Sequence, residues 1–189
     1  MRDRFAVLLS IVVLGLFVDA PNAYAFVNLP PPAHTTLVFF HVLGAILFMG
    51  NIVVSAMWMG QAKRNHNPHV LHFAAKSVMR ADKMFTVPGL FLILTTGLLT
   101  VGPWGGFGKA AWAELALAFF ILSGVIWSVI LLRLQKRMIL LAAAAVDSGE
   151  AGTDFHQALK KWNMWGGIAT LLPFAALILM ISKPSLWGS

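Results

Sequence analysis

The chain has no cysteine, a single tyrosine, seven acidic residues and only 11% charged residues in a length of 189. Without cysteine there is no disulfide, thiolate metal site, iron–sulfur ligation or cysteine nucleophile, so histidine and methionine are the remaining soft or borderline ligands. The shortage of charge is incompatible with a surface that faces water on all sides. No glycine-rich phosphate loop, nucleophile elbow or poised pair of carboxylates is present. The sequence assigns neither a reaction nor a catalytic residue.

What is there is apolar: 59% hydrophobic residues and a mean hydropathy of +0.79 mark a membrane protein. About 20 uncharged residues cross the ~30 Å hydrocarbon core as a helix. Thr35 to Gly60, Met84 to Val101, Leu115 to Leu132 and Trp162 to Ser182 approach or exceed that length. A shorter run, Phe5 to Val18, follows the basic start Met1-Arg2-Asp3-Arg4 and leads to a small-x-small site at Ala23-Tyr24-Ala25. That is the grammar of a signal peptide, an uncleaved first helix being the alternative. The predicted organisation is a leader or N-terminal membrane helix over 1–25 and an integral membrane domain over 26–189. The fold class is all-α, a polytopic four-helix transmembrane bundle.

Short cytoplasmic loops carry the excess of Lys and Arg. Lys63, Arg64, Lys76, Arg80 and Lys83 follow the first span, and Arg133, Lys136, Arg137, Lys160 and Lys161 follow the third, with only Lys109 and Lys183 on the other side. The net charge of +7 is thus a topology signal and not a nucleic-acid footprint. It places the basic loops in the cytoplasm of a bacterial inner membrane, with the lipid bilayer as the main partner and protein partners or a homo-oligomer left open. The seven tryptophans fall mostly near span ends, where interfacial rings are expected.

The two halves resemble one another. Gly50 is followed eleven residues later by Gln61-Ala62-Lys63, and Gly124 eleven later by Gln135-Lys136-Arg137; the outward span of each half carries a proline, Pro88 or Pro173. This reads as two repeated helical hairpins, each kinked at its proline. Asn67-Pro68 predicts a helix cap, and Lys76, Arg80 and Lys83 at helical spacing predict an amphipathic stretch along the inner membrane surface. Asp147 to Gly152 reads as a break, with Asp154 and Gln157 forming a loose capping box. Gly102 to Lys109 predicts a tight turn on the outer side.

Ionisable groups within apolar spans are costly and mark candidate sites. Two qualify: His41, about six residues or ~9 Å into the first span, and Glu114 at the outer mouth of the third. His34, His41, Gly44, Phe48, Asn51, Ser55 and Met59 share one stripe of helix one that should face the bundle. Thr86, Gly89, Ile93, Thr96 and Thr100 share a stripe of helix two, and Glu114, Leu117, Ile121, Gly124 and Ser128 one of helix three. Three readings of His41 stand together: a hydrogen bond to a threonine across helices, ligation of haem b or copper backed by Glu114 or Thr96, or proton transfer with Glu114. His34 could join a copper site at the outer surface. His66, His69 and His72 cluster on the basic side without a carboxylate, as solvated loop histidines do, and Met49, Met57 and Met59 read as packing. Asp82 beside Lys83 reads as a charge-balanced anchor.

The segment His41-Val42-Leu43-Gly44-Ala45-Ile46-Leu47-Phe48-Met49-Gly50 resembles the first-helix signature of the CopD copper-resistance and HemJ protoporphyrinogen oxidase membrane superfamily. In the HemJ-like oxidases that histidine holds haem, which the resemblance implies for His41. Phe48 stands where those enzymes carry tryptophan, and Val53-Val54-Ser55-Ala56 lacks their Pro-Arg stretch, so the resemblance implies haem binding without porphyrinogen oxidation. Nearly the whole chain from His41 onward resembles more closely a family of bacterial predicted integral membrane proteins classed as a domain of unknown function. The likeness is carried by the His41 helix, Arg80 to Gly89, Thr95 to Leu99, Gln135-Lys136-Arg137, and Trp162 to Gly167 leading to Pro173. It implies membrane residence and brings no activity with it. Two functional classes stand, a redox or metal-handling protein with His41 as ligand and a non-catalytic subunit or assembly partner in a larger membrane complex.

Overall fold

The computed structural model describes residues 30–186, so the predicted leader and Trp187 lie outside the described residues. Four helices are long and apolar enough to cross a membrane: α1 (Pro31–Asn65), α2 (Pro68–Thr100), α3 (Ala111–Ser148) and α4 (Thr153–Ser182). Each contains one of the apolar runs read from the sequence. Among the described residues every regular element is helical.

All four helices outrun the bilayer. α1 has 35 residues, about 52 Å at ~1.5 Å per residue against a ~30 Å core. The surplus lies at the end rich in Lys and Arg, and the largest buried core lies there too. Met59 and Ala62 of α1, Leu71 and Val78 of α2, Met138 and Ala142 of α3, and Phe155 and Leu159 of α4 form one cluster. The position has a physical cause. Lipid tails are as apolar as Leu, so the hydrophobic effect does not draw helices together inside the bilayer, whereas it does where they emerge into water. Within the hydrocarbon, large side chains such as Phe39, Ile46, Phe91, Leu171 and Ile181 stay exposed to the acyl chains.

In the half away from the Lys- and Arg-rich ends the helices associate as two pairs, α1 with Val87–Thr100 of α2 and Ala111–Ile126 of α3 with α4, as expected for two hairpins. The first pair is held by direct backbone approach. A Cβ on Gly44 would lie 2.8 Å from Leu92 Cβ and 2.9 Å from the Gly89 carbonyl, and one on Gly89 would lie 2.9 Å from the Gly44 carbonyl. Only glycine at both positions permits this crossing. The pairs meet mainly through Pro68–Ala81 of α2 lying on Leu132–Ser148 of α3.

Several local expectations change. The amphipathic stretch after Asn67 does not lie on the membrane surface. It is the first part of α2, continuous with the span and buried at Leu71, Ala74, Ala75 and Val78, because its apolar stripe packs on α1 and α3. The Asn67 cap is present: its Oδ1 accepts from the His69 N–H at 2.9 Å, and Pro68 is the first helical residue. The capping box at Asp154 and Gln157 is absent; α4 starts from Gly152 with no side-chain cap. The outer turn folds as expected around Gly105, Gly106 and Gly108, whose φ angles of 87°, 75° and 98° require glycine. Lys183 Nζ closes over it, 3.9 Å from the Trp104 ring centre.

α2 and α3 each contain one wide π turn, Asp82–Thr86 and Trp127–Leu131. In α2 the Val87 N–H reaches back to the Asp82 carbonyl. The widened turn accommodates Pro88, whose ring would collide with the carbonyl four residues earlier in a regular helix. In α4, Pro173 leaves the Ala169 carbonyl without its usual donor. Ser123 of α3 replaces it, its hydroxyl donating to that oxygen at 2.6 Å.

Candidate functional site

Where the two π turns face each other, the inner part of the bundle holds a buried carboxylate. Asp82 is 7% exposed. Its Oδ1 accepts from Asn51 Nδ2 of α1 at 2.7 Å and from the hydroxyl of Thr86 at 3.1 Å. Its Oδ2 accepts from Gln135 Nε2 at 2.7 Å and Trp127 Nε1 at 3.3 Å, both on α3. A carboxylate has about four acceptor positions, and four donors fill them. None of these partners carries a charge, so hydrogen bonding alone stabilises the anion, spread over three helices.

Asn51 gives its second N–H to Thr86 Oγ1 at 2.8 Å, and its own oxygen faces the Ser55 hydroxyl at 3.4 Å. The carboxylate only accepts, so it fixes the amide orientation of both Asn51 and Gln135. Turning Gln135 Nε2 toward Asp82 points Gln135 Oε1 away, and that oxygen is buried with no donor. Trp162 Nε1 of α4 is likewise buried with no acceptor.

Both side chains line a cavity of ≈ 600 Å³ in the middle of the molecule, within the ~300–1,000 Å³ typical of small-molecule sites. Phe48, Ile52, Leu90 and Phe120 supply much of its apolar wall. The phenyl rings of Phe48 and Phe120 meet at 5.4 Å across the two pairs. The cavity is partly open, and its exposed lining residues, among them Val53 and Ala56 of α1 and Asn163, Gly167 and Leu171 of α4, place the mouth along the seam between the first and last helices.

The residues singled out in the sequence divide between this site and a second one. His41 lies further out on α1. Its Nδ1 is 3.1 Å from Thr96 Oγ1, and the Thr96 hydroxyl donates to the Leu92 carbonyl. Thr96 therefore accepts and Nδ1 carries the proton, leaving Nε2 with the free lone pair. The ring lies against Gly97, where a Cβ would come within 3.0 Å of Cε1. The expected hydrogen bond from His41 to a threonine across helices is present. The Glu114 carboxylate is engaged elsewhere: it accepts from the Gly108 N–H and ties the glycine-rich turn to the start of α3. Phe48 belongs to the cavity wall. His34 is two helical turns from His41 on α1, about 10 Å along the axis, and its Nε2 is buried without a partner. Among the described residues no group of three His, Asp or Glu side chains is placed to hold a metal.

The stripe read on α1 is right: Gly44, Phe48, Asn51, Ser55 and Met59 are buried. On α2 it holds at Thr86, Gly89 and Thr96. On α3 the buried face is Ala113, Ala116, Phe120 and Ser123, one residue behind the expected Glu114 stripe, because small alanines and the ring of Phe120 pack inward better than the row containing Leu117 and Ile121. Asp82 is not an anchor balanced by Lys83, which is exposed; it continues the buried row of Leu71, Ala75 and Val78, which turns its carboxylate inward to Asn51. Trp127 and Trp162 are not interfacial but line the cavity. The signal missed was Asn51, a polar side chain some 16 residues inside an apolar run that required partners at its own depth.

Four lipid-facing helices around a buried polar cluster define a four-span integral membrane protein. The chain belongs to the predicted integral membrane protein family (DUF2269), whose profile matches residues 35–184. No curated protein and no solved structure matches it, and the likeness to the CopD and HemJ families is not shown.

Proposed function

We propose that this protein takes up a small membrane-dissolved molecule in the cavity between its helix pairs, with Asp82 and its four donors as the rigid floor of the site. The observation that carries this reading is a ≈ 600 Å³ space walled by all four helices. A partly open, mainly apolar space of this size with a few polar groups on its wall has the character of a small-molecule site. Both π turns border it, and such turns concentrate at functional sites. Positions 124 and 167 allow a direct test, because a Cβ at either glycine meets nothing within 4 Å. Gly124→Leu and Gly167→Leu should fold and block the cavity. Native mass spectrometry of the purified protein should find a guest in the wild type and none in either variant; an equal mass of guest in all three refutes the reading.

A second reading starts from His41. A histidine whose Nδ1–H is held by a neighbouring acceptor presents Nε2 in the form that binds metals. This supports haem b or copper ligation at His41, with Thr96 as its orienting partner. A lone imidazole supplies one ligand, so the remainder would come from another protein or a second copy. A Soret band or bound copper that is lost in His41→Ala would support it. A colourless, guest-free preparation running with stoichiometric partners on a native gel would instead identify a non-catalytic subunit of a larger complex.

The orientation belongs to the same proposal. The basic residues gathered at one end support residence in a bacterial inner membrane with that end in the cytoplasm. Since the chain is free of cysteine, Lys76→Cys and Lys109→Cys give clean reporters. Only Lys109→Cys should react with an impermeant maleimide in intact cells stripped of the outer membrane; labelling of Lys76→Cys reverses the topology.

A further inference from the structure

We infer, building on the cavity reading above, that the guest is a neutral molecule with an apolar tail and one hydroxyl, seated between Gln135 Oε1 and Trp162 Nε1. Gln135 is 4% exposed and Trp162 8% exposed, both line the cavity, and each presents one unpartnered atom. One is an acceptor lacking a donor and the other a donor lacking an acceptor. A hydroxyl supplies both through a single oxygen, donating to Gln135 and accepting from Trp162. A buried polar atom left unpaired destabilises the fold, so a guest that pairs two of them gains affinity that a pure hydrocarbon cannot.

Charge narrows the choice. Among the described residues Asp82 is the one ionisable side chain on the cavity wall, and its acceptor positions are already taken by Asn51, Thr86, Trp127 and Gln135. A phosphate or carboxylate head would find no cation on that wall and would face this buried anion at low dielectric. An ammonium head would have to displace donors that hold three helices together. A neutral head remains. The tail follows from the wall of Phe48, Ile52, Leu90 and Phe120 and from a mouth that opens on the flank between α1 and α4, where acyl chains lie. Such a guest arrives from the bilayer and not from water.

The test uses the full-length protein in nanodiscs and three probes, 1-pyrenedecanol, 1-pyrenedecanoate and 1-decylpyrene, read by saturable energy transfer from tryptophan. The alcohol should bind about tenfold tighter than the alkane, the share of one buried hydrogen-bonding pair, and tighter than the carboxylate. Trp162→Phe and Gln135→Leu should each remove that advantage, so that alcohol and alkane bind the variant equally. Trp162→Phe keeps every bond to Asp82, so it decides the matter if Gln135→Leu does not fold. Competition by 1-dodecanol and by 4-dodecylphenol distinguishes an aliphatic from an aromatic hydroxyl. Equal binding of alcohol and alkane, unaffected by Trp162→Phe, would overturn the hydroxyl assignment and give the two orphaned atoms to water, leaving the cavity reading intact. Failure of every probe, with Gly167→Leu indistinguishable from wild type, would overturn both.

Discussion

Replacing Asp82 by asparagine keeps the shape of the side chain and removes half of its acceptor capacity, which makes the consequence calculable. The new amide oxygen can satisfy only one pair of donors, while its NH2 must face the other pair. Trp127 is a donor only and cannot adapt. Asn51 can, by turning its amide over at the expense of the 3.4 Å contact with Ser55. The introduced amide should therefore turn its oxygen toward Trp127 and Gln135. Two charge-assisted bonds become neutral ones, a loss of about 1 kcal/mol each, and one donor on the Asn51 side loses its acceptor at ~1–2 kcal/mol. The sum is roughly 3–4 kcal/mol, or about 6–16 °C in Tm for a chain of this size. Asp82→Ala strands all four donors and should cost more. The measurement is the thermal transition in detergent followed by tryptophan fluorescence. Asp82→Asn with an unchanged Tm would refute the saturated carboxylate, and so would Asp82→Ala being milder than Asp82→Asn.

Three further outcomes are expected. Ser123→Ala alone should destabilise by about 1–2 kcal/mol because the Ala169 carbonyl loses its donor. In a Pro173→Ala background, where residue 173 regains an N–H, the same change should cost less, with a coupling near ~1 kcal/mol in a double-mutant cycle; strict additivity would contradict the substitution of one donor for the other. Gly44→Ala should cost about 1–3 kcal/mol through overpacking against Gly89 and Leu92, whereas Gly50→Ala on the same helix, which meets open space, should be neutral in the same melting assay. Gly97→Ala should push the His41 ring off Thr96, shifting the imidazole resonances in an NMR spectrum of histidine-labelled protein; unchanged resonances would remove Gly97 from any role in seating that ring.

The four spans and the inner face of α1 were legible in the sequence because apolar length and the 3.6-residue period act locally. The Gly44–Gly89 crossing was half visible, as two small residues on stripes that faced each other. The Asp82 cluster was hidden by its position. Asp82 stands at the charged border of α2, beside Arg80 and Lys83, where composition suggests a loop. Its carboxylate faces inward because Asp82 continues the buried row of Leu71, Ala75 and Val78 at regular helical spacing. Gln135 was concealed in the same way, three residues past the apolar run that ends at Leu132 and downstream of the second π turn. The face of α3 was misread because polarity was given more weight than fit. Ser123 faces inward to serve one carbonyl, and Glu114 serves a backbone N–H of the outer turn.

The seam between α1 and α4 ends at the cluster of Met59, Ala62, Phe155 and Leu159, so the helices flanking it are clasped at one extremity and free to part along their length. A hinge of that kind lends lateral pressure a lever arm. Bilayers that press hardest at mid-depth would narrow the slot, and those with loosely ordered chains would let it gape. Occupancy of the proposed site would then register the mechanical state of the surrounding lipid as well as the abundance of whatever fits inside.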